Sequence, residues 1–217
     1  MGLPVHRFIV ASNANNVLYD FLKDGVYDRN RPFYKTTSPS MDILISSNLE
    51  RLLYYKSGND AAYIAGLMKD LETNGTYQVS DEILESVRKD FIGGYCKDED
   101  CTKAIKAVYD QYHYVMDPHT AVAYKVMKEY QQQDAHKTVL LSTASPYKFA
   151  PVVYEAIFQT KIEDEFTCMK ELEARTGASM PASLKQLQEM EIRHRDVIEK
   201  DAMQEYVKQV AGVMFHD

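Results

Sequence analysis

Two stretches of this chain set small hydroxylated and ionisable side chains directly ahead of, or around, a proline able to open a helix. They are Asp117-Pro118-His119-Thr120 and Ser142-Thr143-Ala144-Ser145-Pro146. Backbone N–H groups at a helix start lack partners and lie at the positive end of the helix macrodipole, so such places attract anions. The second stretch also follows the apolar run Thr138 to Leu141, which reads as a buried strand. A strand ending in hydroxyls and passing into a helix N-terminus is how open α/β sheets build ligand sites. Thr143 leads the candidates there, because a hydroxyl at a strand end can hydrogen-bond a heteroaromatic nitrogen without bringing a charge. Its competing use is to cap the helix from Pro146, a task for which Ser145 is better placed.

The other candidates each carry a plainer explanation. Asp117 is by default the N-cap of the helix that Pro118 opens. His119 lies in the first helical turn, where an imidazolium would oppose the dipole, so a neutral ring donating to a ligand is one reading and a locally satisfied ring the other. Asn13, Asn15 and Asn16 follow a short apolar run and serve either a ligand or a turn. Ser38, Ser40 and Asp42 form a polar cluster ahead of the apolar Ile43-Leu44-Ile45, which reads as a strand. Arg51 and Lys148 are phosphate partners by charge, or solvated helix residues. Cys96, Cys101 and His113 lack the second ligand pair of a zinc site, and three cysteines make no disulfide framework. The sequence pattern points to no metal, and it contains no P-loop, Gly-x-Gly-x-x-Gly, Gly-x-Ser-x-Gly or His-Glu-x-x-His.

Supporting these residues takes a chain of 217 residues, long enough for a substantial core. A net charge of −7 disfavours a nucleic-acid or anionic-membrane surface. There is no run of eighteen apolar residues and no charged-then-apolar leader at Met1 to Arg7, so the expectation is a cytoplasmic protein.

The elements read as helices with few strands. Phe8 to Ala11 is a strand, followed by polar caps and a helix from Val17 to Lys23 that Gly25 stops. Ser47-x-x-Glu50 is a capping box, predicting a helix from about Asn48. Further helices are predicted over Asp60 to Leu71 and over Ser80 to Ile92, ended by Gly75 and by Gly93-Gly94. Ile105, Val108, Tyr109 and Tyr112 mark an amphipathic helix ending against Asp117. The next helix carries Val122, Val126, Met127 and Tyr130 on one face. A helix from Pro146 to Phe158 precedes a mostly helical remainder, interrupted at Gly177 to Pro181.

Taken in order, these stretches resemble the C-terminal half of threonine synthase. The resemblance runs through Met1-Gly2-Leu3-Pro4-Val5, Phe8-Ile9-Val10-Ala11-Ser12-Asn13 and Thr37-Ser38-Pro39-Ser40-Met41-Asp42-Ile43. It continues in Ser46-Ser47-Asn48-Leu49-Glu50-Arg51-Leu52-Leu53, the Asp117 to Tyr124 stretch, Ser142 to Phe149, and Pro181, Leu184, Leu187 and Ile192-Arg193-His194. It implies an α/β fold: the C-terminal part of a fold-type II pyridoxal-phosphate scaffold, helix-rich, with few parallel strands and neighbouring N-terminal strands missing. It implies conversion of O-phosphohomoserine and water to threonine and phosphate, a lyase reaction of threonine biosynthesis, with pyridoxal phosphate as cofactor. By motif, Thr143 meets the pyridine nitrogen, and Asp117, His119, Ser145, Lys148, Asn13, Ser38 and Arg51 stand as active-site contacts.

Two departures qualify it. The family often has histidine where this chain has Ser145. The family lysine that holds the cofactor covalently, in a Phe-Lys-Asp-like motif, and the loop that cradles the cofactor phosphate belong to the N-terminal half; neither occurs in these 217 residues. The expectation is therefore an incomplete, inactive chain without a catalytic lysine, acting on O-phosphohomoserine only with its missing N-terminal half. Residues 1–160 form the C-terminal part of the cofactor-binding region with a helical insertion around 60–115, and 161–217 form a helical tail. The alternative is a non-catalytic module that docks on a separate N-terminal half.

Overall fold

A computed structural model describes residues 2–214, with side chains to 212. It divides into two compact units, one running to Met180 and the other from Pro181. In the first unit β1 (Phe8–Ser12) leads to α1 (Val17–Asp24), β2 (Val26–Asp28), α2 (Ser47–Lys56), α3 (Ala61–Asn74), β3 (Thr76–Gln78) and α4 (Asp81–Arg88). Then come β4 (Phe91–Tyr95), α5 (Asp98–Tyr112), α6 (Pro118–Tyr130), α7 (Ala150–Phe158) and α8 (Glu165–Thr176). The second unit holds α9 (Ala182–Leu187) and α10 (Met203–Met214). No helix among the described residues is long and apolar enough to cross a membrane.

β1 and β4 are parallel and in register from Phe8 opposite Phe91 to Ser12 opposite Tyr95. Glycines let helices close on this pair. A Cβ at Gly93 would meet the Tyr19 Cα of α1 at 3.2 Å, and one at Gly94 would meet the Val126 Cγ1 of α6 at 2.4 Å. Gly93 and Gly94 are thus strand residues that admit close packing, not the end of a helix. The helix predicted over Ser80 to Ile92 is correspondingly shorter: Ser80 caps it through Ile83 N, and it ends at Arg88.

α1 and α3 each stop at a glycine in the left-handed conformation, Gly25 and Gly75, whose N–H returns to the helix. Each glycine is followed by a short strand, and these two strands pair antiparallel with Tyr27 opposite Tyr77. The two rings stack with centroids 5.2 Å apart and planes 8° from parallel. Phe21, Leu53 and Val87 close over them in a core without exposed area.

Three further expectations are corrected. Ser46, not Ser47, precedes α2, and no side chain caps that helix, so the capping box does not form. Ile43 to Ile45 is not a strand but an irregular link, fixed by the Tyr27 hydroxyl donating to Leu44 O at 3.0 Å. Thr138 to Leu141 has no ladder partner among the described residues; Val139 is 83% and Leu141 73% exposed. Its apolar pattern is that of a buried strand, but burial needs a neighbouring strand, and no strand among the described residues lies beside it. In the second unit 188–199 are irregular, a second break in the predicted helical remainder.

Gly94→Ala is expected to lower unfolding stability by about 1–3 kcal/mol, because the added methyl must displace Val126. Urea titration of wild type and variant, with the slope compared as well as the midpoint, reads the change.

Candidate functional site

The polar candidates collect where the parallel strands end. β1 delivers Ser12 and then Asn13, which has no exposed area; Cys96, just after β4, donates its N–H to Ser12 O at 2.9 Å. Asn13 Nδ2 donates to Thr36 Oγ1 at 2.8 Å and to Asp42 Oδ1 at 2.7 Å, and its Oδ1 accepts the Asn15 N–H at 2.9 Å. Asn15 in turn exchanges hydrogen bonds with the Tyr34 backbone, giving Nδ2 to O at 2.8 Å and taking N at 2.9 Å. Asp42 Oδ2 takes the Thr36 N–H at 3.0 Å. The segment 34–42 is thus folded around side chains rather than a ladder. Thr37 fastens it to the start of α5 by two hydrogen bonds to Asp98, each 3.1 Å. Ser38, fully buried, sits inside this network, with its hydroxyl 3.1 Å from Asn13 Nδ2.

A second buried network starts at α6. Pro118 occupies the first helical position, and Asp117 caps the helix by accepting the N–H groups of His119 at 2.9 Å and Thr120 at 3.3 Å. The same carboxylate takes the Thr120 hydroxyl on its other oxygen and lies 3.1 Å from His119 Nδ1. His119 Nε2 accepts the Ser40 N–H at 3.1 Å. An imidazole nitrogen that accepts a hydrogen bond carries no proton, so the ring is the neutral tautomer with its proton on Nδ1, aimed at Asp117. Neutral, it does not oppose the macrodipole. His119 therefore joins the 34–42 segment to α6, and Phe149 packs against it with ring centroids 4.7 Å apart and planes tilted by 54°.

The network reaches one step further. The Thr120 and Ser142 hydroxyls lie 3.4 Å apart, and Ser142 is 3.3 Å from the Tyr114 hydroxyl. Ser142 is thereby tied to the carboxylate cluster, and Thr143, next to it, is exposed with no hydrogen-bond partner for its hydroxyl among the described residues. Ser145 accepts the Tyr147 N–H at 3.3 Å and caps a 3₁₀ turn, Pro146–Phe149, which passes into α7.

Both helix starts expected to attract an anion are thus already occupied, by Asp117 and by Ser145. Neither is a free anion site. Asn13, Ser38, Asp117 and His119 are brought together through the 34–42 segment. Thr143 and Ser145 lie on the chain that Ser142 anchors. Lys148 is exposed, its ammonium 5.5 Å from the Phe149 ring centre, and Arg51 is exposed on α2, outside either network. Asn15, Thr36, Asp42 and Thr120 complete the networks; Thr36 gives no pattern signal in the sequence, being an ordinary hydroxyl. Cys96, Cys101 and Cys168 are buried, and Cys96 and Cys101 donate to the carbonyls of Lys97 and Pro118, while His113 ends α5 in the left-handed conformation. No zinc cluster forms from them.

Compared with known proteins, residues 120–210 match the family model for threonine synthase, C-terminal. Threonine synthase-like 1 of Pongo abelii is 42% identical over 158 residues, covering 72% of this chain and 21% of that protein. Threonine synthase of Saccharomyces cerevisiae is 39% identical over 173 residues, covering 72% of this chain and 34% of that protein. The crystal structure of threonine synthase from Brucella melitensis with bound pyridoxal phosphate superimposes with a TM-score of 0.77 at 33% identity, covering 96% of this chain and 41% of that one. The fold is that of a part of an α/β pyridoxal-phosphate enzyme scaffold. The chain belongs to the threonine synthase family, corresponds to its C-terminal region, and spans about a fifth to two fifths of the length of these relatives.

Asp117→Ala removes a helix cap and the partner of two buried side chains. It is expected to cost about 2–4 kcal/mol of stability in urea unfolding and to leave the Ser40 N–H more open to amide hydrogen exchange. Burial pushes the Cys96 and Cys101 thiols up to about 12. Thiols raised in this way stay protonated when folded but ionise when unfolded, so their stabilisation is complete below the ordinary thiol value. It is expected to fall as pH rises from about 9 to 12, read from unfolding midpoints across that range.

Proposed function

We propose that this chain supplies the C-terminal side of a threonine synthase-type active site, in which the Thr143 hydroxyl meets the ring nitrogen of pyridoxal phosphate during conversion of O-phosphohomoserine and water to threonine and phosphate. The carrying observation is that Thr143 presents an unpartnered, exposed hydroxyl immediately after Ser142, which is tied into a buried carboxylate network. A neutral donor of this kind fits a neutral heteroaromatic acceptor, so the residues present fit the ring end of the cofactor. When bound, the cofactor supplies the electron sink that carbanion chemistry at an amino acid requires.

The chain's own residues hold and orient. Asp117 fixes the His119 tautomer, and His119 Nε2 holds the Ser40 N–H and with it the turn at Pro39–Met41. Asn13 and Ser38 keep the segment 34–42 folded beside the strand ends. Ser145, Lys148 and Arg51 complete the candidate contacts, Lys148 and Arg51 as exposed cations toward a phosphate. The covalently attached lysine and the phosphate loop belong, on this reading, to the N-terminal part of the scaffold, and these 217 residues act in the cytoplasm with that part rather than alone. Residues 1–160 then form the cofactor-side region, with the helical insertion at 60–115, and 161–217 the tail.

A second reading rests on the exposed Phe8, at the start of β1, and the exposed Val139 and Leu141, in a segment without a ladder partner among the described residues. On this view the chain is a non-catalytic module that docks on a separate N-terminal half by extending its sheet.

The test mixes this chain with a separately produced N-terminal half of a family enzyme and follows phosphate release from O-phosphohomoserine. The expected result is release by the mixture, none by the chain alone, and a drop of about two- to tenfold on Thr143→Val, the worth of one hydrogen bond of about 0.5–1.5 kcal/mol. Binding without release, unaltered by Thr143→Val, selects the docking module. Borohydride fixation of pyridoxal phosphate on a lysine of the isolated chain would overturn the division of labour.

A further inference from the structure

On a rim separate from this site, two histidines and an aspartate from distant parts of the chain meet at one place. His6 lies just before β1, and Asp134 and His136 lie in the loop after α6. Their ligand-capable atoms all fall within 4.8 Å of one another. His6 Nε2 is 3.5 Å from Asp134 Oδ2, and His136 Nδ1 hydrogen-bonds Asp134 Oδ1. The imidazole rings stack with centroids 4.1 Å apart and planes 15° from parallel.

The carboxylate is held and the imidazoles are free to adjust. Asp134 is 16% exposed, accepts the His136 N–H at 2.8 Å and takes the Tyr130 hydroxyl, while the histidine side chains are 51% and 64% exposed. Such outer hydrogen bonds orient a metal-binding carboxylate. The loop also follows directly on the C-terminal end of α6, the negative end of the helix macrodipole, which favours a cation.

We propose that His6, Asp134 and His136 bind a divalent transition-metal ion, zinc foremost, through two imidazole nitrogens and one carboxylate oxygen, with water completing the shell. Zinc holds such ligands at about 2.0–2.2 Å, so ligand atoms in a tetrahedral shell stand about 3.3–3.5 Å apart. One pair is already at that separation, and the others reach it by rotation of exposed rings. Two imidazoles with a single carboxylate select zinc, nickel or copper over magnesium and calcium, which prefer oxygen ligands. The ion would pin the residues before β1 to the loop that enters the Lys137–Ser142 segment, and so restrain the approach to Thr143 without touching it.

Cobalt serves as the visible probe. Titration of the full, chelator-treated 217-residue chain is expected to give one equivalent bound, with visible absorption bands, displacement by zinc but not by magnesium, and a rise in melting temperature at saturation. His6→Gln, His136→Gln and Asp134→Asn should each weaken binding at least tenfold, whereas His194→Gln should leave it unchanged. Diethyl pyrocarbonate footprinting of the wild type needs no variant: zinc should protect His6 and His136 together from modification. Binding of equal strength in His6→Gln, no protection of either histidine, or no cobalt bound at micromolar concentration would overturn the site.

Discussion

The polar network at the start of α6 hangs on the Asp117 carboxylate. It closes the N-terminus of α6, fixes the protonation of His119 and takes the Thr120 hydroxyl, and through those two side chains it reaches Ser40 on one side and Ser142 on the other. A buried charge of this kind is tolerated only because its oxygens are surrounded by donors; removing it leaves several donors unpaired at once. A single ionised group therefore fixes the relative position of three chain segments that have no backbone ladder in common. This explains why a helix start that looked suited to an external anion is closed to one: the chain has supplied its own.

The glycine pair at 93 and 94 is the complementary constraint on the apolar side. Without it α6 could not lie against β4, since Val126 fills the space a side chain at 94 would need. The distance from sheet to α6 sets where Asp117 stands relative to the end of β1, and so whether His119 reaches Ser40. The two constraints are linked through one rigid helix. Packing along α6 fixes the position of its N-terminus, and the polar network there fixes the loops.

Much of the helical frame was legible because its signals are local. Gly25, Gly75 and Gly177 end helices in the left-handed conformation as their spacing predicts, and Asp60, Ser80 and Asp117 accept first-turn N–H groups. The errors arose where partners decide. Phe91 to Tyr95 has the composition of a frayed helix end but pairs with β1, a contact of more than eighty positions that no local pattern encodes. Thr138 to Leu141 has the composition of a strand but finds no ladder among the described residues. β2 and β3 are too short to show periodicity, although each follows a helix-ending glycine. In the site, Asn13, Ser38 and Asp42 were visible as polar residues, whereas Thr36, the shared partner of all three, follows only from the fold of the 34–42 segment.

The distribution of exposure within the site separates support from chemistry. Asn13, Ser38, Asp117, His119 and Thr120 are buried and mutually satisfied, so their hydrogen-bonding capacity is spent inside the protein. A group that is to meet a ligand must keep some of that capacity unspent. Thr143 does so: its neighbour Ser142 is fixed by the network, yet its own hydroxyl is left to solvent. Lys148 and Arg51 are likewise exposed, but their charges end long side chains, which lose more rotamer entropy on engaging a ligand than a threonine hydroxyl does. Of the three, Thr143 offers a short, uncharged donor, which is what the proposed contact with a neutral ring nitrogen requires.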